Sequence, residues 1–227
     1  MRGLFVTGTD TGVGKSVLSA ALLAAMHANG ETVRAHKPVL TGLDDEAPQS
    51  VWPPDHVLLG AAAGMSPTDV APLRLGPASS PHLAAQLTGV DVDPSALLDA
   101  ARAGPSDDVV VVEGVGGLLV PLAEDYLVLD LARELGLPLV IAARPGLGTI
   151  NHSLLSVRAA RAAGLAIAAV VLTPWPRQPS PLEHSNRDTI ARLGEVDVEV
   201  LPLLPGPDIA ALARAGAGLS WQRWLGR

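Results

Sequence analysis

The chain has 227 residues, a net charge of −7 and no cysteine. That length suits one α/β domain, the acidic balance argues against a nucleic-acid partner, and the missing thiols exclude disulfides, thiolate metal sites and cysteine nucleophiles. Arg, Pro, Gly or Asp interrupts every apolar stretch before it reaches membrane-span length, and no leader pattern opens the chain, so a soluble cytoplasmic protein without a membrane partner is expected.

Short β-type runs alternate with helical patterns. Residues 4–7 read as a strand, 15–29 as a helix closed by Gly30, and 32–36 as a second strand. A helix over 55–63 follows Pro53-Pro54, with Asp55 a candidate N-cap. The helix over 93–103 is entered through Asp93-Pro94. Val109-Val110-Val111-Val112 has the continuous β-branched character of a strand buried on both faces. Beyond it the pattern predicts helices over 126–135, 150–163, 182–193 and 209–215, interleaved with strands over 139–142, 166–172 and 198–201. Aromatic residues make up only 3% of the chain, so the core is expected to consist of Ala, Val, Leu and Ile. The alternation implies one P-loop NTPase-like domain over residues 1–227: a mostly parallel central sheet with right-handed crossovers and helices on both faces. The Pro- and Asp-rich stretch 42–54 reads as a loop rather than a linker.

Only two lysines occur, against fourteen arginines. Lys15 lies in Gly8-Thr9-Asp10-Thr11-Gly12-Val13-Gly14-Lys15-Ser16, between the first strand and the first helix. This is a phosphate-binding loop arrangement: backbone N–H groups of Thr11, Gly12, Val13 and Gly14 face phosphates, Lys15 neutralises their oxygens, and the Ser16 hydroxyl is placed to ligate Mg²⁺. Five residues separate Gly8 from Gly14, one more than the usual pattern. Lysine is a compact point charge that reaches between phosphate oxygens, which the planar guanidinium cannot do in a narrow loop. ATP-dependent chemistry is therefore the leading reading. A second acid near the metal is expected at the end of a buried strand, and Glu113, followed by Gly114 and Gly116-Gly117, fits that place; an exposed strand-end glutamate is the plainer alternative. Spacing alone leaves Asp55 as either a helix cap or a metal ligand.

The P-loop with its extra residue resembles that of the dethiobiotin synthetases, a family of biotin biosynthesis. The likeness continues through Lys37-Pro38-Val39-Leu40-Thr41-Gly42, Ser80-Pro81-His82, Val112-Glu113-Gly114-Val115-Gly116-Gly117-Leu118 and Leu147-Gly148-Thr149-Ile150-Asn151-His152. These blocks stand in the family's order and span about two-thirds of the chain. The resemblance implies that ATP, Mg²⁺ and CO₂ convert 7,8-diaminononanoate into dethiobiotin through a carbamate and a carbamic–phosphoric anhydride. It implies Lys15 and Lys37 as the catalytic cations and Thr41 as a contact to the carbamate or substrate amine. Ser16, Asp55 and Glu113 match the family's magnesium ligands. Gly148, Thr149, Ile150 and Asn151 match the helix start that receives the substrate carboxylate from the neighbouring subunit, so a homodimer with sites at the interface is implied.

One departure concerns the base. Where the family often reads adenine with an asparagine, Thr173-Pro174 stands instead, and backbone near Leu203, Leu204 and Pro205 is the other candidate contact. The 42–54 loop also departs from the family, so Asp44, Asp45 and Glu46 inherit no role. The rivals are a partitioning-type switch ATPase, in which a lysine usually stands where this chain has Asp10, and the ATP-binding domain of a cobyrinate-amidase-like cyclo-ligase, which works with a cysteine-dependent glutaminase. Trp221 and Trp224 are expected to pack on the fold rather than bind a membrane. The six histidines show no metal-ligand spacing: His27, His56 and His184 read as surface, His82 and His152 as neighbours of the substrate blocks. Asn186, in Ser185-Asn186-Arg187, has no explanation at this level.

Overall fold

The computed structural model describes residues 1–44 and 51–226. In chain order its elements are β1 (Arg2–Gly8), α1 (Lys15–Ala28), β2 (Val33–His36), β3 (Val39–Leu40), α2 (Asp55–Ala63), α3 (Pro67–Val70) and β4 (Leu73–Arg74). Next come α4 (Pro81–Thr88), α5 (Pro94–Arg102), β5 (Val109–Gly117), β6 (Pro121–Ala123), β7 (Tyr126–Leu127), α6 (Val128–Leu135) and β8 (Leu139–Ala143). The chain then runs through α7 (Thr149–Ala162), β9 (Ile167–Trp175), α8 (Pro181–Gly194), β10 (Val198–Pro202), α9 (Ile209–Gly216) and α10 (Trp221–Trp224).

Six strands form one sheet in the order β10-β9-β8-β1-β5-β2, and every neighbouring pair is parallel. Period-two geometry sends alternate side chains of these strands into two separate cores. Leu4, Val6, Val109, Val111, Val140 and Ala142 pack on the face covered by α1, α2 and α9. Phe5, Val110, Val112, Leu139 and Ile141 pack on the opposite face, with side chains of α4 through α8. Apolar residues on both faces of each strand are what allow helices to cover both sides, as the continuous Val109–Val112 stretch anticipates. Helix α1 is itself almost enclosed: small alanines let α9 lie so close that a Cβ at Gly216 would stand 2.0 Å from the Ala21 carbonyl oxygen.

Several boundaries move. Strand β5 runs five residues beyond the valines because it pairs with β1 up to Gly8↔Gly117. Tyr126 belongs to a short strand paired with β6, so α6 starts at Val128. Asp55 is the first residue of α2 and Pro54 the cap, which corrects the N-cap reading: the proline, with φ of −50°, already holds the entry conformation. Helix α4 lacked a clear apolar period, yet Ser80-Pro81 is a start signal of the same kind as Asp93-Pro94 and Ser180-Pro181. Trp221 and Trp224 are buried against the α1 side, as expected. Of the 42–54 loop, residues 45–50 lie outside the described residues, including Asp45 and Glu46; Asp44 N donates to the Gly76 carbonyl (3.0 Å).

Candidate active site

The sheet order places β1 between β5 and β8, with β2 beyond β5. The chain leaving the carboxyl ends of β1 and β2 therefore meets the outer half of β5. The turn after β1 carries the P-loop. Gly14 caps α1 with φ of 93°, a conformation that L side chains rarely adopt, and a Cβ there would stand 3.1 Å from Thr173 Cγ2. Asp10 shapes the turn by accepting from Thr11 N–H (2.7 Å). Lys15 is buried and donates to the Asp10 carbonyl (2.9 Å), folded back over its own loop. Burial lowers the Lys15 pKa; the Glu113 carboxylate opposes that, and the nearby Lys37 charge adds to it. An anion in the loop would relieve both unfavourable effects.

Lys37 follows β2 directly and ties its backbone N–H to the Val70 carbonyl (2.8 Å). Its ammonium lies 2.6 Å from Asp55 Oδ2 and 2.6 Å from Glu113 Oε1. Burial alone would lower its pKa, but the Glu113 and Asp55 carboxylates outweigh burial and raise it, so the charge stays on. For Asp55 burial acts upward, and the Lys37 ammonium, with the Ser16 hydroxyl and Lys15, brings its pKa below the ordinary carboxylate value. Ser16 Oγ donates to Glu113 Oε1 (2.9 Å). Glu113 is fully buried within β5 opposite Val6, not an exposed strand end. Its Oε2 is buried without a hydrogen-bond partner. Ser16, Asp55 and Glu113 come together beside the Lys37 ammonium. A hydroxyl and two carboxylates form a hard-oxygen donor set of the kind Mg²⁺ takes, and the orphaned Oε2 adds a further acceptor.

A cleft of about 790 Å³ is lined by Thr11, Gly12, Gly14, Lys15, Ser16, Lys37, Thr41 and Asp55, with Trp52, Ser80 and Val115 among its other walls; Glu113 lies behind it, reached through Ser16 and Lys37. The volume lies within the range of small-molecule sites. Val13 is buried beneath the loop and does not line the cleft.

Other expected residues lie elsewhere. Gly148, Thr149, Ile150 and Asn151 do not line the cleft. Gly148 caps α7, Thr149 is buried with Oγ1 3.4 Å from Ser153 Oγ, and Asn151 is exposed. Thr173 is buried in β9 against the back of Gly14. Leu203 follows β10, is 53% exposed and donates its N–H to the Trp175 carbonyl (2.8 Å), with Leu204 half-buried and Pro205 exposed beside it. His56 is half-buried with an unpartnered buried Nδ1, so it is not the plain surface residue expected.

Two polar residues gain a place that the sequence reading did not assign. Arg144, in the loop after β8, lies with Nη2 3.4 Å from the Thr11 and Gly12 carbonyls. His36, next to Lys37, is buried without a partner for Nε2. Proximity in sequence to the Leu147-Gly148 block was the only signal for the first. The second had a period-two position in a buried strand.

A family model described as an AAA domain matches residues 2–207. Among solved structures, a ParA family ATPase from Chlorobium tepidum shares the fold with a TM-score of 0.57 at 12% identity, each chain covered fully. The cell division ATPase MinD of Pyrococcus furiosus has a TM-score of 0.53 at 18% identity, with 96% of this chain and 90% of that one covered. Such identities speak for the fold alone. The ATP-dependent dethiobiotin synthetase BioD of Anaeromyxobacter dehalogenans is 42% identical over 218 residues, 95% of each chain. That of Bacillus subtilis is 39% identical over 201 residues, 87% of this chain and 85% of the relative. With identity at this level along nearly its whole length, and a P-loop cleft holding two lysines, this chain belongs to the ATP-dependent dethiobiotin synthetase family and is a ligase of that kind.

Proposed function

We propose that the chain, folded as one domain and acting in the cytoplasm as a homodimer, converts 7,8-diaminononanoate, CO₂ and ATP into dethiobiotin, ADP and phosphate in biotin biosynthesis. The observation that carries this reading is the pairing of Lys15 and Lys37 in one cleft with Ser16, Thr41 and Asp55, backed by the buried Glu113 that binds Ser16 and Lys37. A hydrolytic switch has no need of the second buried lysine; joining two anions does.

One substrate amine adds to CO₂ and loses a proton, giving a carbamate. Lys37, kept charged by its carboxylate partners, holds that carbamate beside the γ-phosphate, while Thr41 hydrogen-bonds it or the amine. Lys15 neutralises phosphate oxygens along the P-loop. A carbamate oxygen then attacks the γ-phosphorus, the bond to ADP breaks, and a carbamic–phosphoric anhydride forms. The second amine attacks the carbonyl carbon, loses its proton, and phosphate leaves as the five-membered urea closes. Most of the catalysis in such a sequence is positioning and charge neutralisation. Ser16, Asp55 and Glu113 would hold Mg²⁺, which supplies charge compensation at the phosphates. The base would sit near Thr173 and the backbone of Leu203, Leu204 and Pro205. The helix start Gly148–Asn151 of one subunit would take the carboxylate of substrate bound in the other subunit's cleft.

The deciding assay combines purified protein, ATP, Mg²⁺, bicarbonate and diaminononanoate, and looks for a product of dethiobiotin mass together with ADP. Turnover should need the diamine and CO₂ together. ATP hydrolysis without them, stimulated by DNA or lipid, would overturn the reading in favour of a switch ATPase.

A further inference from the structure

In the proposed sequence each amine loses a proton, so the cleft needs a group that takes one up. Ser80 borders the cleft and is the N-cap of α4. The N-cap side chains of Ser66, Asp93, Ser180 and Asp208 each accept a backbone N–H of the helix that they open. The Ser80 side chain accepts none from any described residue of α4. Its Oγ lies instead 2.9 Å from Nδ1 of His82, the second residue of that helix. The His82 ring is half-buried and also borders a second cavity of about 330 Å³, shared with Gln86, Asp91 and Glu124. Asp91, in the loop after α4, and Glu124, in the turn between β6 and β7, are the other titratable groups on its rim. One imidazole thus stands between a cleft-lining hydroxyl and a separate cavity with an acidic rim. An imidazole exchanges protons near neutral pH, and a hydroxyl that donates to it keeps its lone pairs for a donor in the cleft.

We propose that Ser80 and His82 form a proton relay, which takes up the proton lost when the first substrate amine adds to CO₂. This rests on the reading above that the cleft carboxylates a diamine. The nitrogen–carbon bond forms and one C–O π pair of CO₂ moves to oxygen. The nitrogen gives its proton to Ser80 Oγ as the Oγ proton passes to His82 Nδ1. The products are a carbamate and an imidazolium, and the imidazolium returns its proton to solvent through the second cavity. In ring closure the departing phosphate can carry away the second amine's proton. CO₂ brings no such group, so the relay serves the first step. Ser80 touches the reacting nitrogen, and His82 acts through it.

The test measures kcat/KM for diaminononanoate, with ATP and bicarbonate saturating, at pH 7 and pH 9. It compares wild type, Ser80→Ala, His82→Asn and the double variant, with thermal melting and ATP Kd measured alongside. Asparagine can accept from Ser80 Oγ but takes up no proton, so it separates the relay from the hydrogen bond. Because Ser80 caps no N–H of α4, its replacement by alanine should leave melting close to that of wild type. Each single variant should lose about a hundredfold at pH 7, the scale of general base catalysis, with ATP Kd unchanged. Relative to wild type at the same pH, the loss should shrink to less than about tenfold at pH 9, where hydroxide replaces the relay. The double variant should be no worse than the poorer single one, as for residues that act as a unit. If wild type makes no dethiobiotin, the carboxylation reading fails and the relay with it. If wild type turns over and either single variant matches it at pH 7, that reading stands and the relay is overturned. Losses that multiply in the double variant, that are equal at both pH values, or that track a fall in ATP affinity would overturn the relay as well.

Discussion

Lys37 Nζ lies 2.6 Å from Glu113 Oε1, although 76 residues separate the two in sequence, and neither is more than 3% exposed. Removing one member of such a pair leaves an uncompensated charge in the interior. Lys37→Met should therefore destabilise the fold by about 3–5 kcal/mol. Adding Glu113→Gln to it should recover more than half of that loss, because the stranded charge is gone, while activity stays absent. Urea denaturation of both single variants and the double variant measures the coupling. Additive losses would show that the two groups do not interact as described.

Charge alone is not what the two lysines contribute. Lys15→Arg and Lys37→Arg keep the positive charge but place a planar fork where Nζ now sits at 2.9 Å from the Asp10 carbonyl or between two carboxylates. Both variants should fold, and each should lose at least about a hundredfold in kcat, the scale of one charged transition-state contact. Steady-state turnover close to wild type in either variant would contradict this.

Base selectivity is expected to be weak. Thr173 is buried against Gly14 and carries one hydroxyl, where the family resemblance would place an asparagine amide for adenine. Losing that amide removes about 1–3 kcal/mol of preference. Turnover with ATP, CTP and GTP at matched concentrations should differ by less than about a hundredfold. A preference for ATP above about a thousandfold would assign the reading of the base to backbone around Leu203–Pro205 instead.

The proposed sharing of sites between subunits makes a prediction about mixtures. Because Thr149 is buried, a charge there would disturb the fold; Asn151 is exposed in the first turn of α7, where an aspartate is tolerated by the helix dipole. Asn151→Asp should raise the KM for diaminononanoate by at least about tenfold and leave nucleotide affinity unchanged. Mixed with Lys15→Ala, it should regain activity, since one of the two sites in each heterodimer then combines an intact P-loop with an intact helix start. No recovery between subunits shown to exchange would mean that each site lies within one chain.

His36 sets a pH dependence of stability. Burial, with the Arg34 charge adding to it, lowers its pKa from 6.5 to about 4. The unfolded chain takes up a proton below pH 6.5 that the native state refuses until about pH 4, so stability falls as pH drops through that window. From pH 7 to pH 5 the loss from this residue should be about 2 kcal/mol. His36→Leu should remove that part of the pH dependence of the urea midpoint, and an unchanged slope would sink the assignment.

Periodicity made most of the main-sheet strands and the longer helices legible, because both depend on near neighbours along the chain. Val109–Val112 announced a strand buried on both faces, Asp55–Ala63 was recognisable as a helix, and Gly14-Lys15-Ser16 as a phosphate loop. Helix α4 and the short pairs β3–β4 and β6–β7 carried too few residues for a period to show. That Glu113 ends up inside a nine-residue strand follows from how long β5 stays paired with β1, which no local pattern reports. The family resemblance named Ser16, Lys37, Asp55 and Glu113 separately; the meeting of both carboxylates at the Lys37 ammonium, with Ser16 on Glu113, depends on strand order β8-β1-β5-β2, a property of the whole sheet. Asn186 shows the same division most sharply. In sequence it is one polar residue in a polar helix, and only the packing of α8 beside the loop after β8, some forty residues earlier, brings its amide to the Pro145 and Gly146 carbonyls. Hydrogen-bond partners across that distance are chosen by tertiary geometry, since nothing in the local backbone conformation of either segment specifies the other.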